Sequence, residues 1–229
     1  MKRNNMPSKR YFIGLFIVIM AFSSCKDNKK KEVEANETQE VATEAKEPFF
    51  KLSLAQWSIN KMIRNDGVDP YTFAEKAKKW GFDGLEYVSA LYYNELEPMG
   101  FSEEAMTAFV EKSNAEAKKH GLKNLLIMID GQGDLATPDA TKRKAAVENH
   151  YKWVDAAKFL GCHSIRVNAF GVGTAEEVSK AAIDGLGRLA EFGAKQNINV
   201  IVENHGSYSS NGKWLTNVMD TINKSNCGT

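Results

Sequence analysis

Residues 199–206 read NVIVENHG. Val200, Ile201 and Val202 form a short apolar run, and Glu203, Asn204 and His205 follow it at once. A run this short between polar residues is the pattern of a buried strand that surfaces at its C-terminal end. Going back along the chain, a helical pattern spans Thr174 to about Gln196, with Glu176 and Glu177 in the first turn, where the helix dipole favours acids. Before it, SIRVNA at 164–169 is another strand. The alternation continues to the start of the foldable sequence. LSLAQWSI (52–59), GLEYVS (84–89) and NLLIMID (124–130) read as strands. The helices between them run from Asp69-Pro70 to Gly81, from Ser102 to His120-Gly121, and from about Pro138 to Leu160. Asp before Pro at one start, and Gly at three ends, are helix punctuation. A last helical pattern covers Gly212–Asn223, and Cys227 opens a sixth strand.

Strand starts recur at roughly 32 to 41 residues, the length of a strand plus a crossover helix. Apolar strands between amphipathic helices imply an α/β class with a parallel sheet covered by helices. Either an open doubly wound sheet or a closed barrel satisfies that. A dinucleotide-type domain needs a glycine-rich turn after its first strand, but NKMIRNDG stands there. The Gly131-Gln132-Gly133 cluster comes after the third strand and reads as a flexible loop. Polar residues collect instead at the strand ends: Gln56, Glu86, Asp130, Asn168, Glu203 and His205. That is where (β/α)8 barrels place chemistry. The expectation is a (β/α)8 TIM barrel of which about the first five βα units are present, truncated at the C-terminus. A complete small five-stranded α/β domain is the alternative.

The chain has 229 residues, 43% of them apolar, with 30 basic against 29 acidic side chains. This balance gives no concentrated positive surface for nucleic acid. Its distribution is uneven. Lys2, Arg3, Lys9 and Arg10 precede an apolar run from Tyr11 to Phe22, and Phe22-Ser23-Ser24-Cys25 follows. The run is short for a membrane span and has the layout of an export signal. The end resembles a bacterial lipobox, with phenylalanine where leucine is usual. Residues 1–25 are therefore read as a lipoprotein signal with Cys25 lipidated, and a plain N-terminal anchor is the alternative. Residues 26–48 are charged, contain no aromatic residue before Phe49, and read as a disordered linker. Residues 49–229 are the partial barrel domain. The expected location is outside the cytoplasm, periplasmic or at the cell surface, with a lipid bilayer as partner through the anchor. Cys162 and Cys227 each precede a strand, two strand spacings apart, and are expected as free thiols.

Glu203 and His205 are two apart, so in extended chain they share a face. A carboxylate and an imidazole meeting there suit a divalent cation, and Glu203 could move a proton on a carbon beside a carbonyl. The plainer reading is a loop cap and a loop histidine. SLAQWSI, GFDGLEYVS, FLGCHSIRVNAFG and VIVENHG, in that order, resemble the xylose isomerase-like TIM-barrel family of sugar phosphate isomerases and epimerases, across about residues 50–229. The resemblance implies a divalent metal (manganese, cobalt, magnesium or zinc) held by Glu, Asp, His and Glu from strands five to eight. It also implies proton transfer through an enediolate on a ketose or keto-sugar. Glu203 matches the strand-five glutamate, as catalytic residue and metal ligand. The other ligands would lie past Thr229, so the fragment is expected to be inactive.

Glu86, Asn168, His205, Trp57 and Gln56 are the substrate-binding candidates for a small carbohydrate. Each has a structural alternative: a rim hydrogen bond for Glu86 and core packing for Trp57. Arg166 points the same way as Asn168 but deeper, and needs a carboxylate partner. His120 and His150 read as surface or packing residues, and His163 as structural. A keto-glycoside lyase falls within the leading reading. The alternatives are a non-catalytic sugar-binding lipoprotein and an apurinic endonuclease-like enzyme. The latter needs several strand-end histidines, and strand four offers Asn168.

Overall fold

The computed structural model describes residues 49–229; the signal reading, Cys25 and the 26–48 linker lie outside the described residues. The chain opens with β1 (Ser53–Ala55), a 3-10 turn (Gln56–Ile59) and α1 (Asn60–Arg64). A second 3-10 turn (Pro70–Thr72) runs into α2 (Phe73–Lys79), followed by β2 (Gly84–Val88) and the short α3 (Tyr93–Leu96) between 3-10 turns. Next come α4 (Glu103–Lys119), β3 (Lys123–Met128), α5 (Ala140–Leu160), β4 (Ser164–Asn168), α6 (Ala175–Gln196) and β5 (Asn199–Glu203). A last 3-10 turn (Ser207–Ser210) leads to α7 (Gly212–Ile222) and β6 (Cys227–Gly228).

The six strands are parallel and lie in sequence order, β1-β2-β3-β4-β5-β6. That order settles the architecture between the two expected. A doubly wound sheet reverses its strand order at a switch point. Here each strand adds to the same edge, as in the wall of a (β/α)8 barrel. All N-terminal strand ends therefore share one face, and all C-terminal ends the other.

Side chains alternate across this wall. Leu85, Tyr87, Ile127, Ile165, Val167, Val200 and Val202 are buried against the helices. Each fully buried aliphatic side chain contributes about 1.5–3 kcal/mol. The opposite face carries Glu86, Met128, Arg166, Asn168, Ile201 and Glu203, in register across the strands. The register slips between Leu85 and Glu86, where β3 inserts an extra residue. Such a bulge bends the strand and re-aims its side chains.

The helices begin and end as their sequences dictate. Asp69 accepts from the Tyr71 N–H, and Ser102 and Asp139 cap α4 and α5. Thr174 and Glu177 form a reciprocal capping box on α6. Gly161 ends α5 at φ +76°, a left-handed conformation that favours glycine. In α6, a Cβ on Gly185 would lie 2.0 Å from the Leu135 carbonyl oxygen, so the β3–α5 loop seats directly on the helix. Arg143 pins the same loop, donating to Asp184 at 2.6 Å and to the Thr137 carbonyl at 2.7 Å. Beyond the Gly131-Gln132-Gly133 cluster, Leu135 and Ala136 of this loop are buried.

The first strand is shorter than the expected 52–59. Gln56 is the reason. Its Oε1 accepts from the Val88 N–H at 3.0 Å, and its Nε2 donates to the Tyr92 hydroxyl at 2.8 Å and the Pro70 carbonyl at 3.1 Å. The side chain takes the pairing that a longer β1 would have supplied, and the backbone turns away. Cys162 and Cys227 are free thiols, the first buried and the second partly so. Burial pushes their pKa values up, to about 12 and about 11. Among the described residues, no helix is long and apolar enough to cross a membrane.

Candidate functional site

The polar groups that converge in this structure come from the C-terminal ends of β3, β4 and β5. Asp130 follows β3 and is held by its own backbone. Its N–H donates to the buried Ser89 hydroxyl at 3.0 Å, and its carbonyl accepts from the Tyr93 hydroxyl. Burial raises the Tyr93 pKa, which keeps that hydroxyl a donor. Gln132 Nε2 donates to the same hydroxyl at 2.5 Å, and Lys152 Nζ donates to Gln132 Oε1 at 2.5 Å. Desolvation lowers the Lys152 pKa. This chain of bonds fixes the backbone that presents the Asp130 carboxylate.

Arg166, two residues before the end of β4, reaches both neighbouring strands. Its Nη1 lies 3.1 Å from Asp130 Oδ1, and its Nε lies 2.7 Å from Glu203 Oε2. The arginine side chain is only 14% exposed, against 32% for Asp130 and 36% for Glu203. Its depth therefore matches the expectation, and its carboxylate partners are these two. Asn168 Nδ2 donates to Asp130 Oδ1 at 2.9 Å, and Asn168 is the direct register partner of Glu203. His205 Nδ1 lies 3.1 Å from Glu203 Oε1, with its ring edge-on to Phe170. Two carboxylates, one guanidinium, one amide and one imidazole thus share one rim. Arg166 Nη2 makes no hydrogen bond to another described residue, so it remains a donor for a ligand oxygen.

The structure brings Glu203, His205 and Asn168 together and leaves the other three candidates apart. Glu86 sits mid-strand in β2, not at its end. It pairs with Leu126, which pairs with Ser164, four residues before Asn168. Its carboxylate accepts from Ser53 Oγ at 2.5 Å. Gln56 is fully buried in the bonds described above. Trp57 is 45% exposed just past β1, with the Arg64 guanidinium 4.8 Å over its ring, so it is not core. Asp130 and Arg166 complete the rim. Asp130 ends its apolar run as Glu203 does, a signal already present in the sequence. His150 is buried in α5 with its Nδ1 2.7 Å from the Ala146 carbonyl oxygen, and burial lowers its pKa to about 4.

The donor set does not by itself make a metal centre. Among the described residues, no three His, Cys, Asp or Glu side chains converge to hold an ion. Both Glu203 oxygens are engaged, one by Arg166 and one by His205. The chemistry available from these residues is proton transfer by a carboxylate, with cationic and amide donors placed beside it.

Solved structures share this fold at low identity. The probable 3-DHS dehydratase of Bacillus anthracis involved in petrobactin synthesis superposes with a TM-score of 0.58 at 17% identity, over 78% of this chain and 61% of that one. The IolI protein with a bound zinc atom gives 0.58 at 16%, over 78% and 61%. D-psicose 3-epimerase of Clostridium cellulolyticum H10, solved with D-tagatose, gives 0.55 at 15%, over 70% and 56%. The chain thus spans about three fifths of the length of these neighbours. Comparison with curated proteins gives no match. A family match covers residues 74–229, from α2 through every strand that builds the rim, and on it the chain belongs to the xylose isomerase-like TIM barrel family.

Proposed function

We propose that this chain is part of a sugar isomerase or epimerase that moves a proton on the carbon next to a ketose or keto-sugar carbonyl, with Glu203 as the proton-transferring group. One observation carries the reading: Glu203 ends β5 on the non-helical face, in contact with Arg166 and His205 and level with Asn168. A carboxylate so placed can take a proton from a carbon held over the rim. The enediolate that results carries negative charge on oxygen. Arg166 Nη2 and Asn168 are the donors nearest to receive it. His205, with Phe170 against its ring, bounds the sugar on one side.

Family membership and fold neighbours that include a D-psicose 3-epimerase support this reading. Of the four ligands that the resemblance implies for a divalent metal, present as zinc in one neighbour, Glu203 would supply one. We assign the others to later strands of a longer protein. The lipid anchor at Cys25 and a location outside the cytoplasm belong to the same proposal, and they favour an unphosphorylated sugar.

A second reading is sugar binding without catalysis. The ion pair that occupies Glu203 favours it. Incubating the protein with ketoses in deuterated water and following loss of the carbon-bound proton by NMR separates the two. Exchange that depends on Glu203 supports the enzyme. Saturable ketose binding without exchange supports the binding protein.

A further inference from the structure

The face opposite the rim carries a second pattern. Strand N-termini and helix C-termini meet there, because all six strands run parallel. Lys51, Lys78, Lys79, Lys118, Lys123 and Lys195 are exposed on this face and make no ion pair with any described residue. Neighbouring Lys119 and Lys224 are paired to Glu116 and Glu191, and Asp83 and Asp220 are exposed acids on the same face. Lysines in the last turn of α2, α4 and α6 offset the helix dipoles, which accounts for some of this charge. It does not account for Lys51 and Lys123, which lie outside the helices.

Nor does it account for the aromatics. Phe49, Phe50, Trp80 and Phe159 are 101%, 63%, 48% and 67% exposed. All four sit at this end: the first two lead into β1, Trp80 caps α2, and Phe159 lies in the last turn of α5. A recess of about 600 Å³ opens on the same face, lined by Lys118, Lys123 and His163 over Leu122, Leu125 and Leu160. Exposed aromatics beside unpaired lysines match the layering of a bilayer interface, where rings sit at headgroup depth and lysines meet anionic headgroups.

The chain also enters the described fold on this face, at Phe49. Its longest apolar run, Tyr11–Phe22 behind Lys9 and Arg10, precedes that point in the sequence. We infer that the N-terminal face of the barrel wall docks on an anionic lipid surface. Lys78, Lys79, Lys118 and Lys123 supply the charge, and Trp80 and Phe159 the interfacial rings. The rim with Glu203 then faces away from the membrane, open to soluble ligand. This docking does not depend on what chemistry the rim performs.

The test uses the full chain bound to vesicles and isolated by flotation, with amine acetylation read lysine by lysine by mass spectrometry. On vesicles of phosphatidylglycerol and phosphatidylcholine, Lys78, Lys79, Lys118 and Lys123 acetylate several-fold more slowly than on phosphatidylcholine alone. Lys142, Lys180 and Lys213, on the rim side, acetylate equally on both. Replacing the four lysines by glutamine weakens the docked state by about fivefold per lysine and removes the protection of Lys51 and Lys195. Equal labelling of the two faces overturns the proposal. So does protection on the rim side, protection of the same size on phosphatidylcholine alone, or protection of Lys51 and Lys195 that survives the four replacements.

Discussion

Arg166 Nε sits 2.7 Å from Glu203 Oε2, and the same guanidinium reaches Asp130 on the other side at 3.1 Å. One cation on β4 thus joins the ends of β3 and β5. Without it, two carboxylates would face a shared rim with no positive charge between them. Arg166→Met should destabilise the fold by about 1–2 kcal/mol; the buried-pair figure is larger, but the carboxylates are about a third exposed and water screens them. Urea unfolding should show a lower midpoint with an unchanged slope.

That pairing marks where sequence reading stops. Asp130, Asn168 and Glu203 are visible as the polar ends of apolar runs, and five βα units follow from those runs and their helix caps. Which polar end meets which depends on register, and register is set by a bulge at β3 that no residue pattern announces. Glu86 shows the consequence. GLEYVS reads as a strand with its acid at the outlet, yet Glu86 lies in the middle of β2, and Tyr87 and Val88 after it pack against the helices and β3. Gln56 was legible as a hydrogen-bonding residue. That its side chain would replace a strand's backbone pairing was not, because the partners lie 14 to 36 residues away.

Two glycines two residues apart in α6 should respond oppositely to alanine. A Cβ at Gly185 would meet the Leu135 carbonyl oxygen at 2.0 Å, whereas nothing lies within 4 Å of one at Gly187. Gly185→Ala should cost about 1–3 kcal/mol through overpacking. Gly187→Ala should gain about 0.5–1 kcal/mol from reduced chain entropy. Thermal melts of the two variants check the signs.

His150 gives the fold an acid-sensitive element. Burial lowers its pKa from 6.5 to about 4, so the folded state binds this proton later than the unfolded state does. Between those values the unfolded chain holds more protons, and stability rises with pH. The contribution is complete above pH 6.5 and is lost as pH falls toward 4, by up to about 3 kcal/mol. Unfolding free energies across that window should slope upward with pH, and His150→Gln should flatten the slope.

Gln56→Leu should cost about 1–3 kcal/mol by leaving the Val88 N–H and the Tyr92 hydroxyl without partners in a buried site. Hydrogen exchange at the Val88 amide should speed up in the variant. An unchanged rate would mean that the backbone finds another partner there.

The central claim is that the carboxylate at the end of β5 transfers a proton on a sugar carbon. Deuterium uptake into D-psicose or D-tagatose, measured by NMR for the longest natural form of the protein and its Glu203→Gln variant, tests it most directly. The amide keeps the size of the side chain and removes the base, so exchange should fall by about 10²–10⁴-fold while the fold remains. Exchange at the same rate in both proteins would contradict the claim.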